Sequence, residues 1–424
     1  MLTVVTTVLA GLQTCNHLKQ TYSSLECCDD SPLNVLGADS ASVTQEPCPI
    51  TISTTLGPVS TGANDAQGCV YLGMLNDYSG PFKQVSPAVE LGQRMFWKRV
   101  NENGGITGSS GAFSVAIKPG VDTGYNPTTH ATAYETIRTD SFALALSLGT
   151  YQTMEIMPKL VEDSMLAVPL SWWSGWSDES SDNNLILESG ADYRKVAANL
   201  VEYFLSMEST PTNATFGFAG IANDYGQDTL AGVRAALDRH GLNATWEYLT
   251  PLFNVADVLQ KPQVDYLILA VFATQTTQIV GGLAGSMTKF GLPQTAFNQM
   301  FMNTALGPVL TARSVVASSV APYSFDTEAH DNMRATLPQG VQGNYYAMVA
   351  WASQYPLYTT LQALADSGLE LTRENHKLVG ASQTVDSDGM MDSYILNHPR
   401  GEGVVIQKPT SQGMIVLSKT YHTG

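Results

Sequence analysis

The stretch that decides the fold is Val70 to Gly108, VYLGMLNDYSGPFKQVSPAVELGQRMFWKRVNENGGITG. It opens with a short apolar strand, Val70 to Leu75, and continues through a polar turn, Asn76-Asp77-Tyr78-Ser79-Gly80-Pro81. A long amphipathic helix follows, with Val89, Met95, Phe96 and Val100 at helical spacing and Gly104-Gly105 as its stop. A strand that delivers a Ser-Gly turn to a helix start sets backbone N–H groups and a hydroxyl at the mouth of an α/β sheet. Such a place holds a small polar ligand. It shows no nucleophile.

Working outward from Cys69, strands and helices alternate. The pattern predicts strands at Val70–Leu75, Phe113–Lys118, Leu144–Leu148 and Leu166–Pro169, with helices at Thr128–Thr139 and Met154–Asp163 between them. This is βαβα order, hence a parallel sheet covered by helices. The pattern then restarts with a helix at Asp192–Met207, a strand at Thr215–Gly220, a helix at Gly226–His240 and a strand at Asn243–Tyr248. An apolar strand at Tyr266–Phe272, a helix at Thr276–Phe290 and a strand at Phe297–Asn303 continue it. One long helix, Tyr345–Ser367, and short strands at Val404–Gln407 and Met414–Leu417 close the chain. Two α/β units of similar size imply two lobes. The expected division is an N-terminal arm over 1–66, a first lobe over 67–189 plus about 316–384, and a second lobe over 190–315 plus about 385–424.

Bulk composition narrows the function. The chain has 424 residues, 44% of them apolar, which is ample for two cores. Its 21 Lys and Arg stand against 38 Asp and Glu, a net charge of −17. That surface repels phosphate backbones and anionic lipid, so nucleic acid is not an expected partner. All five cysteines (Cys15, Cys27, Cys28, Cys48, Cys69) fall at one end, as in a disulfide-stapled extension on a cysteine-free body. Zinc is the rival, but there is no C-x-x-C pair and only His17 lies nearby. Residues 29–66, rich in Ser, Thr, Pro, Asp and Gly, read as a linker or extended arm with one candidate strand at Ile50–Ser53. The opening MLTVVTTVLAGLQT resembles a signal h-region or lipoprotein anchor; its n-region lacks Lys and Arg, and Leu12-Gln13-Thr14-Cys15 is a poor lipobox. A helix with Val5, Leu9, Leu12 and Leu18 on one face is the competing expectation.

Catalytic signatures are missing: no G-x-S-x-G elbow, no Walker loop, no HExxH, and seven histidines without ligand spacing. Ser286-Met287-Thr288-Lys289 matches S-x-x-K formally but lacks its partner motifs, and Asp386-Ser387-Asp388-Gly389 reads as an Asp-rich turn. The chain is therefore not expected to be an enzyme, and no cofactor or metal is expected. What remains are strand ends. Gly149-Thr150-Tyr151-Gln152-Thr153 feeds hydroxyls into a helix start, suited to an anion or simply to an N-cap. Ser171-Trp172-Trp173-Ser174-Gly175-Trp176 packs three tryptophans into five residues, which either line a cleft or cement the lobes. Asn223-Asp224-Tyr225-Gly226 places Tyr225 to cross a cleft or to pack on its own lobe. Phe272 and Asn303 end the next strands on the same rim. With Ser79, the candidate ligand-binding set is Ser79, Thr150, Tyr151, Gln152, Thr153, Trp172, Trp173, Ser174, Trp176, Asp224, Tyr225, Phe272 and Asn303.

From Cys69 onward the chain resembles the type I periplasmic binding proteins, specifically the branched-chain amino-acid (Leu/Ile/Val) substrate-binding proteins of ABC transporters. The resemblance rests on Ser79-Gly80-Pro81, Asn101-Glu102-Asn103-Gly104-Gly105-Ile106-Thr107-Gly108, Asp122, Asn126-Pro127, Gly149 spaced to Pro158, Val168-Pro169, Asp224-Tyr225-Gly226, and Ser314–Tyr323 leading into Tyr345. It implies two Rossmann-like lobes joined by three hinge crossings in a Venus-flytrap arrangement. It also implies capture of a small solute for a membrane permease, in the periplasm or outside the cell. By the same resemblance Thr150–Thr153 and Ser171–Trp176 hold a ligand carboxylate, and Tyr225 faces it. Amino-acid binders of the family carry an acid after the strand corresponding to Phe297–Asn303; here Asn303-Thr304-Ala305-Leu306 has none. Amino acids, amides, urea-like compounds, carboxylates and aromatic or quaternary ammonium solutes all stay open. Two rival readings keep the clamshell: a ligand-sensing ectodomain, and a surface protein that self-associates through disulfides of the N-terminal arm.

Overall fold

A computed structural model describes residues 43–54, 56–65, 67–177, 185–396 and 403–418. Cys15, Cys27, Cys28 and the N-terminal helix expectation lie outside these residues.

Two separate sheets form, each built from a run of parallel strands. In the first, Gly68–Asn76 is central, flanked by Gly111–Ile117 on one side and Ala143–Ser147 then Ala167–Pro169 on the other. Val70, Leu72, Met74 and Leu75 are all fully buried, because helices cover both faces and a central parallel strand must be apolar throughout. In the second sheet the parallel strands run in the order Trp246–Thr250, Phe216–Ile221, Tyr266–Ala270, Lys289–Pro293, Ser314–Ser318. Two antiparallel strands, Val405–Thr410 and Gly413–Ser418, extend its edge. Both sheets therefore place their first strand between the second and the third. The strand order reverses there, and the loops leaving the two adjacent strand ends splay apart and open a crevice.

The chain passes between the sheets three times: after Ile186, which bridges Ala167 at the edge of the first sheet, after Ser318, and before Val405. Between the second and third passage, helix Tyr345–Ala352 packs on helix Ser86–Glu102 beside the first sheet, and Tyr355–Ser367 packs on the edge strand Ile106–Gly108.

Several expected elements are corrected. The helix expected over Thr276–Phe290 ends at Gly282, the second of two glycines, and Lys289–Pro293 is a strand. The strand expected at Phe297–Asn303 is a 3-10 turn, since the Asn298 side chain accepts from Met300 N and caps it. The long helix breaks before Tyr355-Pro356 into Tyr345–Ala352 and Tyr355–Ser367. Gln354 fills the break: its Oε1 accepts from Trp97 Nε1 (2.9 Å) and its Nε2 donates to Ala145 O (3.0 Å).

In the arm, Thr51–Thr54 and Gly57–Ser60 form a hairpin, and Val43–Thr44 pairs with the central strand at Cys69–Val70. Cys48 and Cys69, both buried, form a disulfide that staples the arm to that strand. A bridge closing a loop of this length contributes about 2–4 kcal/mol. Paired Cys48→Ala and Cys69→Ala replacements should lower the urea midpoint accordingly, and a reductant should lower the wild-type midpoint to match. A midpoint indifferent to both would show that the staple carries no load.

Candidate functional site

The loops leaving the two switch points face one another across a cavity of about 580 Å³. From the first sheet come the turn with Pro81 and Phe82 and the segment Leu148–Thr150. From the second come Asn223–Tyr225 and Phe272–Gln275. Trp172, Thr295, Phe301, Tyr345 and Tyr346 also line the wall.

Each turn has a local cause. Asp77 accepts from Gly80 N (2.5 Å) and Phe82 N (2.7 Å), which curls the first turn and turns Phe82 inward. Gly149 has φ +99°, a conformation side-chain-bearing residues avoid, and an added Cβ would strike Gln152 Oε1 at 2.3 Å. Tyr125 carries the same kind of strain without being glycine, at φ +54°. Gln152 Nε2 holds its carbonyl at 2.8 Å, and its ring meets Phe82 at 4.7 Å. In the second lobe Asn223 caps helix Asp224–Arg239 through Gly226 N (3.0 Å). Gly226 has no room for a Cβ, which would fall 1.8 Å from Ile221 O.

Of the thirteen sequence candidates, Thr150, Trp172, Asp224, Tyr225 and Phe272 are brought together in the wall. The others stand elsewhere for identifiable reasons. Ser79 is exposed, with its side chain turned to Asp122. Tyr151 is half exposed on the rim, and Gln152 is spent on Tyr125. Thr153 bonds back to Gly149 O and Ser147 Oγ, both at 2.7 Å. Trp176 is buried, donating to Ser171 Oγ at 2.9 Å and meeting the Trp173 ring edge-on at 5.1 Å, so these two tryptophans cement the loop. Trp172 alone of the three faces the cavity, anchored through Nε1 to Ser189 O at 2.7 Å. Asn303 is exposed at the end of the 3-10 turn, whose Met300 and Phe301 reach the cavity instead. Tyr125, Tyr193, Tyr345 and Tyr346 were not signalled by any sequence motif; they arrive from distant segments.

The two lobes touch through polar and aromatic contacts. Thr150 Oγ1 donates to the Asp224 carboxylate. One helical turn on, Asp228 accepts from Ser174 N (2.6 Å) and Ser174 Oγ (2.8 Å), and from Arg194 Nη2 (3.0 Å). Phe82 meets Phe272 edge-on at 5.7 Å. Burial holds the Asp224 carboxyl above the usual range, against hydrogen bonds from Thr150 and from backbone N–H groups that favour its charge. Burial likewise pushes the phenols of Tyr125, Tyr193, Tyr225 and Tyr345 up, so they remain neutral donors.

The sequence pattern of periplasmic binding proteins matches residues 70–404, most of the chain. The chain belongs to the periplasmic binding protein family. Among solved periplasmic binding proteins, a fatty acid ABC transporter substrate-binding protein from Thermomonospora curvata is similar, at TM-score 0.73 and 19% identity over 88% of this chain and 96% of that one. A branched-chain amino acid ABC transporter protein from Thermus thermophilus, solved with bound valine, gives TM-score 0.69 and 15% identity over 84% and 97%. A solute-binding protein from R. palustris in complex with benzoate gives 0.66 and 10% over 82% and 95%. At these identities the likeness establishes the two-lobed fold and leaves the ligand undecided. No curated protein sequence matches the chain. Among the described residues no helix is long and apolar enough to cross a membrane.

Proposed function

We propose that this protein is the solute-binding component of an ABC-type importer, working outside the cytoplasm. It captures one small organic molecule between its lobes and presents the closed form to a membrane permease. The observation that carries this reading is the cavity walled from both sheets at their switch points. Membership of the periplasmic binding protein family and the substrate-binding neighbours support it. Contacts such as Thr150 to Asp224 and Ser174 to Asp228 bridge the two lobes, and opening the cleft would break them. A ligand that adds contacts to both walls therefore shifts the population toward closure. We assign Thr150, Trp172, Asp224, Tyr225 and Phe272 to ligand contact, together with Tyr345 and Tyr346. Binding is the whole task in this reading; no bond is made or broken.

The test is a thermal-shift and tryptophan-fluorescence titration with valine, benzoate, palmitate and organic amines. A bound solute at a hundredfold excess over its Kd should stabilise the fold by about 2.7 kcal/mol. It should also change emission in the wild type and much less in Trp172→Phe. If no solute raises the melting temperature, the receptor reading fails.

A further inference from the structure

The cavity wall has a chemistry that selects among solutes. Nine of its side chains are aromatic, and the faces of such rings attract cations. Among the described residues that line it, Asp224 is the one formal charge, and none is Lys, Arg or His. An anion entering this space would shed its water without a positive partner and would meet a carboxylate. The feature best suited to an anion is the start of helix Thr150–Asp163 with the Thr150 hydroxyl. The Thr150 hydroxyl already donates to the Asp224 carboxylate from the opposite lobe.

We propose that the ligand is an organic cation with an apolar body, an amine or ammonium whose charged group sits beside Asp224 within the aromatic wall. This inference rests on the receptor reading above. Among the described residues Asp224 has no ion pair: Arg194 is bound to Asp228, and Asp228 itself adds repulsion. A bound cation supplies a countercharge and removes the burial penalty on the carboxylate. The net charge of −17 raises the concentration of cations around the whole protein and depletes anions.

The test is calorimetric titration of the full chain with three probes that share one body: phenylethylamine, phenylethanol and phenylpropionate. The amine should bind at least about tenfold more tightly than the alcohol, and the carboxylate should give no measurable heat. In Asp224→Asn the ratio of amine to alcohol affinity should collapse toward one. The wild-type series stands by itself should that variant fail to fold. Tighter binding of phenylpropionate or phenylethanol than of the amine overturns the cation proposal and leaves the receptor reading intact. Silence from all three overturns the cation proposal as well, and the wider solute panel then decides the receptor reading separately.

Discussion

Replacing Gly92 by valine is expected to cost about 3 kcal/mol or more and to weaken ligand capture with it. Gly92 lies mid-way along helix Ser86–Glu102, where helix Tyr345–Ala352 crosses it. A Cβ at this position would stand 2.2 Å from Ala347 O and 2.9 Å from its carbonyl carbon. Both are backbone atoms, so no side chain can swing away; one helix must move. Both helices line the cavity, through Ser86 and Val89 on one and Tyr345, Tyr346 and Val349 on the other. Widening their separation therefore shifts two tyrosines of the wall. Gly92→Ala sharpens the reading. In an open helix that change stabilises by about 1 kcal/mol. Here it should destabilise, and valine should destabilise further. Urea denaturation of the three proteins checks the order. Equal or greater stability of the alanine variant would show that the two helices separate at no cost.

The second large effect is on acid stability. His130 and His376 are fully buried. His130 Nε2 sits 3.0 Å from Ser147 Oγ, and His376 Nε2 sits 2.9 Å from Thr360 Oγ1 while its ring stacks on Phe142 at 5.1 Å. Burial pushes His130 down to about 4 and His376 down to about 3, from an ordinary value of 6.5. The unfolded chain therefore takes up these protons first. Stability is full above pH 6.5 and is lost as pH falls, until the folded-state values are passed. Each histidine withdraws on the order of 3 kcal/mol by about pH 4. Together that is comparable to half the stability of an ordinary domain. Asp224, raised by burial, works in the opposite sense, since the folded state holds its proton more tightly, and so it offsets part of the loss. Urea midpoints measured from neutral pH to about pH 4.5 should fall steadily, and less so in His130→Asn/His376→Phe. A flat profile across that window would refute the assignment.

The parallel strands were readable in the chain because their burial on two faces demands unbroken apolar runs, as at Val70–Leu75 and Tyr266–Ala270. Helix starts were readable where a side chain caps the first turn, as Asn126 does for Pro127–Ile137 and Asn223 for Asp224–Arg239. The misreadings share a cause. Phe297–Asn303 has a strand's composition, yet the neighbouring strand Lys289–Pro293 already occupies the place in the sheet. Tyr345–Ser367 has one helix's periodicity, yet Gln354 is claimed by Trp97 and Ala145. In each case a partner far away in sequence overrode a local preference.

The chain by itself dictated two α/β lobes and the turns that stand at their strand ends. Hydrophobic period and capping are local properties, carried by residues within a few positions of one another. Only the tertiary structure decided which side chains of those turns face the gap. Trp172 looks inward while Trp176, four residues on, is sealed against Ser171. Tyr125 reaches the wall through a strained backbone, and Tyr345 and Tyr346 reach it on a helix from more than a hundred residues beyond Asp224. A side chain's outlook depends on the packing of every segment around it, and that packing exists only once both lobes have assembled.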